Sequence, residues 1–341
     1  MGSERFIERL AFIASFFALG VIALGAFTRL MDAGLGCPDW PFCYGRMILP
    51  LTDAAHLHMM HEVNHWVAYK AWVEMIHRYF VGGLSLLIVA MVTIIFSQKI
   101  LRVRSNIMLS FFLIALLICQ IILGQLTVTL KLIPTIVTQH LLGGFLIVSA
   151  LWLIYLNNNQ KKIIIFSEKK SIQKTIPLAF VALFLMLIQI FLGAWTSTHY
   201  ASLSCPDFPF CNNYQNMTLH IKEAFAFFTP LGLNYEGGLL PDAIRQTIHM
   251  AHRLGALVVT LYLFLLIIMA LPRLKQDNIF VYPLYALLGF LCIQLCLGIS
   301  NVIFKLPLVT AISHTVVAAL LLLSLITFLF QLIRSNRRVS S

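Results

Sequence analysis

Eight apolar runs alternate with short polar segments along the chain, over residues 10–28, 74–96, 107–127, 134–156, 177–197, 246–271, 280–302 and 309–333. A helix needs about 20 apolar residues to cross a bilayer, and each run is long enough. The first run follows Arg5 and Arg9, as a signal peptide would. It is too long for a typical signal core and ends in no small-residue cleavage site, so it reads as a retained helix. The pattern predicts an all-α membrane protein of eight transmembrane helices.

Composition agrees. Hydrophobic residues make up 60% of the chain and charged residues 11%, where a soluble domain carries roughly 25% charged. Mean hydropathy is +0.89. Such a surface is compatible with lipid and not with water. The formal charge of +11 raises nucleic acid as a partner, but the distribution excludes it, because the cations sit in short clusters between apolar runs. Arg5 and Arg9, then Lys99, Arg102 and Arg104, then Lys161, Lys162, Lys169, Lys170 and Lys174, then Arg273 and Lys275, then Arg334, Arg337 and Arg338 all fall on one side. The positive-inside rule puts that side, with both termini, in the cytoplasm. The long loops 29–73 and 198–245 then face outward.

The chain repeats itself. Cys37-Pro-Asp-Trp-Pro-Phe-Cys43 in the first outer loop matches Cys205-Pro-Asp-Phe-Pro-Phe-Cys211 in the third. Gly25-Ala-Phe-Thr matches Gly193-Ala-Trp-Thr, and His77-Arg78 matches His252-Arg253. Gln120 and Gly124 match Gln294 and Gly298, Lys131 matches Lys305, and His140 matches His314. Residues 1–160 and 175–335 are therefore two tandem four-helix units. Four being even, both have the same orientation, which predicts a pseudo-two-fold axis along the membrane normal.

His77, His140, His252 and His314 each fall one or two turns inside the outer end of a helix, roughly 5–12 Å deep. One buried histidine is as well explained by a hydrogen bond to a neighbouring helix. Four at one depth, in repeat-related pairs, point to ligands. Imidazole is a common axial ligand of heme iron, and two on facing helices clamp a heme between them. Pairing within each repeat gives His77 with His140 and His252 with His314. Arg78 and Arg253, with Arg29 at the close of the first run, are candidates for heme propionate contacts; snorkelling to lipid headgroups explains them equally well. The halves differ at one place. Glu74 stands three residues before His77, where the second half has His249. A carboxylate beside a heme can move protons or hold a substrate group, which predicts chemistry in the first half and a held cofactor in the second. The plainer alternative makes Glu74 an interfacial residue.

Cys37/Cys43 and Cys205/Cys211 lie in outward loops, where disulfides form. Either could instead exchange electrons with a thiol partner. Cys119, Cys292 and Cys296 lie within the runs and read as packing residues. Residues 61–65, in a stretch with His56, His58, His61, Glu62 and His65, fit the H-E-x-x-H zinc-protease pattern. That pattern explains neither the repeat nor the membrane histidines.

The chain resembles the heme A synthase family over nearly its whole length. The resemblance rests on Thr28-Arg29-Leu30, Gly34-Leu-Gly-Cys37-Pro-Asp-Trp-Pro, Glu74-Met-Ile-His77-Arg78, Gln139-His140, His252-Arg253 and His314. It implies that a ring methyl (C8) of heme O is oxidised to a formyl group by successive hydroxylations, giving heme A for terminal cytochrome oxidases. It implies a substrate heme between His77 and His140 with Glu74 as catalytic residue, and a heme b cofactor between His252 and His314. It also implies a bacterial inner-membrane location, heme O synthase and cytochrome oxidase assembly as partners, an electron donor and association into a homo-oligomer. Two rivals fit the histidines alone. One is a di-heme b electron-transfer cytochrome linked to quinone, the other a heme exporter or chaperone. Neither accounts for an acid in one half only.

Overall fold

A computed structural model describes residues 2–49, 68–159, 165–209, 211 and 219–338. The histidine-rich stretch 56–65, Lys161 and Lys162 lie outside the described residues. Among those described, eight long helices carry the fold: α1 (Gly2–Leu30), α2 (Ala68–Ser97), α3 (Arg104–Thr129), α4 (Pro134–Asn158), α5 (Lys169–Thr198), α6 (Asp242–Leu274), α7 (Asn278–Ile303) and α8 (Leu308–Arg338). All eight are long and apolar enough to cross a membrane, and the chain is a multi-pass membrane protein. Large side chains such as Leu86, Phe184 and Ile268 are exposed on helix surfaces, as befits helices whose solvent is hydrocarbon. Cys119, Cys292 and Cys296 are likewise exposed rather than packed in the core, because a lipid-facing position accepts a small apolar side chain as readily as a core does.

Each half closes into a ring of neighbours. In the first, α1 packs on α2, α2 on α3, α3 on α4 and α4 on α1; in the second, α5, α6, α7 and α8 repeat the same circuit. Between halves, α1 meets α8, α4 meets α5, and α4 meets α8. Exchanging the halves maps this list onto itself, as a pseudo-two-fold requires. The helix ends agree. Asp32 and Tyr200 both take a left-handed backbone, as do the pairs Lys131–Leu132 and Lys305–Leu306. In each case an amide reaches back five residues to close the helix: Ala33 to Thr28 at 2.9 Å, Ala201 to Thr196 at 3.0 Å, Leu132 to Thr127 at 2.8 Å and Leu306 to Asn301 at 2.7 Å. These bonds satisfy last-turn carbonyls that have no partner within the helix.

The apolar core is continuous across both halves, from Ile7 and Leu151 to Phe280 and Phe328. The apolar stretches of α8 and α4 are the most buried, at 56% and 44%, so these two helices form the centre. Polar ties cross the seam there: Trp152 Nε1 donates to Thr327 Oγ1 at 2.7 Å, and Thr138 and Thr198 share a hydroxyl bond at 3.1 Å. Above them, residues 225–240 of the second half reach over the first. The Phe227 carbonyl accepts from Thr135 Oγ1 at 2.8 Å, the Tyr235 amide donates to the Lys131 carbonyl at 3.1 Å, and Glu236 pairs with Lys70 at 3.3 Å.

Candidate functional site

The four histidines stand on α2, α4, α6 and α8, which lie on the diagonals of the two rings. His77 and His140 are close enough for their charges to interact, as are His252 and His314. These are the within-repeat pairs. His140 and His314 come six residues into their helices, whereas His77 comes nine and His252 ten. The latter two therefore lie deeper from the helix start than expected, roughly 14 Å, because α2 and α6 begin above their apolar runs with a polar turn.

Each imidazole fills a groove made by a glycine on the preceding helix. A methyl built on Gly25 of α1 would lie 3.1 Å from Cε1 of His77, and one on Gly124 of α3 would lie 3.3 Å from that of His140. Gly193 and Gly298 repeat this against His252 and His314, at 3.0 and 3.1 Å. The repeat had marked these glycines without giving their purpose, which is to admit the ring edge. Nδ1 of His77, His140 and His314 is buried with no hydrogen-bond partner. An unsatisfied buried nitrogen is costly, and a metal ligated by imidazole relieves that cost. The donor set thus fits two hemes with paired imidazole ligands. Among the described residues no group of three or more His, Cys, Asp or Glu side chains gathers as a bare-ion site.

Glu74 is buried. One carboxylate oxygen accepts the Cys37 amide at 2.9 Å, and the other pairs with Arg78 one turn along α2. His249, at the equivalent place, is also buried, with its Nδ1 unpartnered. The expected disulfides Cys37–Cys43 and Cys205–Cys211 are both formed. The three arginines offered for propionates are engaged by protein oxygens. Arg78 Nη1 donates to the carbonyls of Asp39 (3.0 Å), Pro41 (3.3 Å) and Phe42 (2.8 Å). Arg253 does the same with Asp207 (2.7 Å), Pro209 (3.2 Å) and Cys205 (2.6 Å). Arg29 donates to the Ser197 carbonyl at 2.6 Å, pairs with Asp32 at 3.5 Å and lies 3.7 Å over the Tyr200 ring. The first two clamp the cysteine loops and the third joins the halves.

Two glutamines were not foreseen as site residues. Gln189 of α5 lies with its amide nitrogen 3.0 Å from Nδ1 of His252 and 3.0 Å from the His252 carbonyl. Gln294 of α7 lies 3.2 Å from Nε2 of His314. The signal for Gln189 was a lone amide amid an apolar run.

The sequence matches the COX15-CtaA family, described as cytochrome oxidase assembly protein, over residues 8–326. It is similar to a heme A synthase from Shewanella oneidensis, 41% identical over 330 residues that cover 95% of this chain and 96% of that one. It is also similar to heme A synthases from Bacillus licheniformis, 25% identical with 98% and 99% covered, and Lysinibacillus sphaericus, 25% identical with 98% of each covered.

Proposed function

The chain belongs to the COX15-CtaA cytochrome oxidase assembly family, and from that premise we propose that it is a heme A synthase, an oxidoreductase that converts the C8 methyl of heme O to a formyl group. The observation that carries this reading is the duplicated histidine pair with an acid, Glu74, beside one pair only. In this reading His77 and His140 hold the substrate in the half 1–160. His252 and His314 hold heme b in the half 175–335, where it supplies electron transfer. Arg78 and the Cys37 amide fix the Glu74 carboxylate. Placed beside the reacting methyl, that carboxylate would take up or return a proton during two hydroxylations, each a two-electron oxidation drawing its oxidant and oxygen atom from outside the chain; they give a geminal diol, which loses water to the aldehyde. The enzyme sits in the bacterial inner membrane with both termini cytoplasmic, and it draws electrons from a separate donor. It works beside heme O synthase in oxidase assembly and associates with copies of itself.

The test is to express the chain with a heme O synthase in a host lacking heme A, then identify extracted hemes by mass. Heme A or its hydroxylated precursor beside heme b is the expected result. Two unmodified heme b groups per chain would instead make it an electron-transfer cytochrome. Glu74→Ala should abolish heme A formation while heme b stays bound.

The hydrogen bonds of Glu74 favour a second reading of that residue, as an anchor for the cysteine loop. Glu74→Gln separates the two, since an amide oxygen still accepts from the Cys37 amide. Heme A formation at the wild-type rate in this variant would leave Glu74 as an anchor alone.

A further inference from the structure

The two histidine pairs are held differently. In the second half each histidine has an amide against it, Gln189 on His252 and Gln294 on His314. In the first half no amide is bonded to either ring, and Nδ1 of His77 and His140 is buried without a partner, as is that of His314, whose amide lies on Nε2. The cause lies in two repeat positions. Gln189, four residues before Gly193, corresponds to Val21, four before Gly25, so α1 has no amide to offer His77. Gln294 does have a counterpart, Gln120, but that amide is turned toward Gly143 on α4, into space that a β-carbon there would fill. The residue equivalent to Gly143, three past the histidine, is Val317. Val317 has a branched side chain where Gly143 has none, and Gln294 lies on His314 instead.

We propose that Gln189 and Gln294 are positioning residues that make the second half the permanently loaded heme site, and that Val21 and Gly143 keep the first half exchangeable. The inference rests on the ligand assignment above. Its chemistry is that of a partner behind a metal ligand. An imidazole that binds iron through one nitrogen carries its proton on the other, and an acceptor on that proton fixes the ring and raises its basicity. Gln189 Oε1 and Gln294 Oε1 are both buried without a partner. A turned Gln294 amide presents this oxygen to a protonated ring nitrogen; for Gln189 the same turn gives up the bond that its nitrogen donates to the His252 carbonyl in exchange for the one to the ring. A substrate that must enter and leave as product is better served by histidines without such support.

The test uses the purified full-length protein loaded in the cell. Heme b loss to excess apomyoglobin and the heme b midpoint potential are read for wild type, Gln189→Val and Gln189→Glu. The valine variant copies the first half and should lose heme about tenfold faster or more, with a raised midpoint because a less basic imidazole stabilises ferric iron less. The glutamate variant keeps the size, strengthens the acceptor and should lower the midpoint. The reverse change, Val21→Gln with Gly143→Val, should slow heme release from the first half. Both Gln189 variants shifting the midpoint in one direction, or neither changing loss rate, would overturn the proposal while leaving the ligands in place. A wild-type protein without low-spin, two-imidazole heme would overturn the ligand assignment itself.

Discussion

At Gly193 a single added methyl would stand 3.0 Å from the His252 ring, tighter than carbon contacts allow without movement. Overpacking of this kind costs about 1–3 kcal/mol, and here the part that must move is the proposed ligand. Gly193→Ala should therefore lose heme b, and Gly25→Ala should spare heme b but impair substrate turnover. Gly20→Ala is the control, since a methyl there meets nothing within 4 Å. Heme content by pyridine hemochrome decides it, and equal heme b in the Gly193 and Gly20 variants would count against the ligand role. His199 offers a second test outside the spans. It is buried beside Trp195, and burial pushes its pKa down to about 4 from 6.5, with the Trp195 carbonyl opposing and Arg29 adding to the fall. The folded state then binds this proton less readily than the unfolded state. Stability is full above about pH 6.5 and erodes as the pH falls toward 4. Thermal unfolding in detergent at pH 7 and pH 5 should show a gap that narrows in His199→Met, which installs the equivalent residue, Met31. An unchanged gap would assign the loss to other groups. The histidines, the acid and the cysteines were legible because their chemistry is rare inside a membrane. The glycine grooves and the amide partners were not, because each depends on which helix faces which.

Among the elements, α2 joins site to loop in one stretch: Glu74, His77 and Arg78 occupy little more than a turn. Arg78 meets three loop carbonyls only because the chain doubles back after α1, through the left-handed Asp32. Run lengths report neither that reversal nor its return to α2, so the arginine read equally well as a propionate or headgroup contact. They did give the eight helices closely, missing the first eight residues of α1 and of α5, the first six of α2 and the first four of α6. A guanidinium offers a fork of donors that an ammonium lacks. Arg78→Lys should therefore loosen the Cys37–Cys43 loop alone, so that a membrane-impermeant reductant opens it several-fold faster while Cys205–Cys211 keeps its rate. Arg253→Lys should do the converse. Thiol labelling followed by peptide mass mapping reads each pair, and equal rates in both variants would deny the arginines this clamping role.

For the whole molecule, the duplication was plain in the sequence but the seam was not. Lipid-facing and protein-facing positions are equally apolar, so periodicity cannot say which surfaces meet. The structure gives the seam to α4 and α8 at its centre and adds polar ties beside it. Arg29 and Asp32 meet Ser197 and Tyr200, which occupy their repeat-equivalent positions, so equivalent segments meet across the seam with different residues on each side. The loop 225–240 crosses from the second half to the first. A core continuous across the seam makes each half dependent on the other. A chain cut after Asn159 and expressed as two pieces should reassemble when both are present, copurifying with heme b bound. The second piece made alone should fail to retain heme although it carries His252, His314 and both glutamines, since α8 would expose the face that α1 and α4 cover. Heme retention by that piece alone, at the stability of the intact protein, would mean that the halves are independent domains and that the seam serves only to align them.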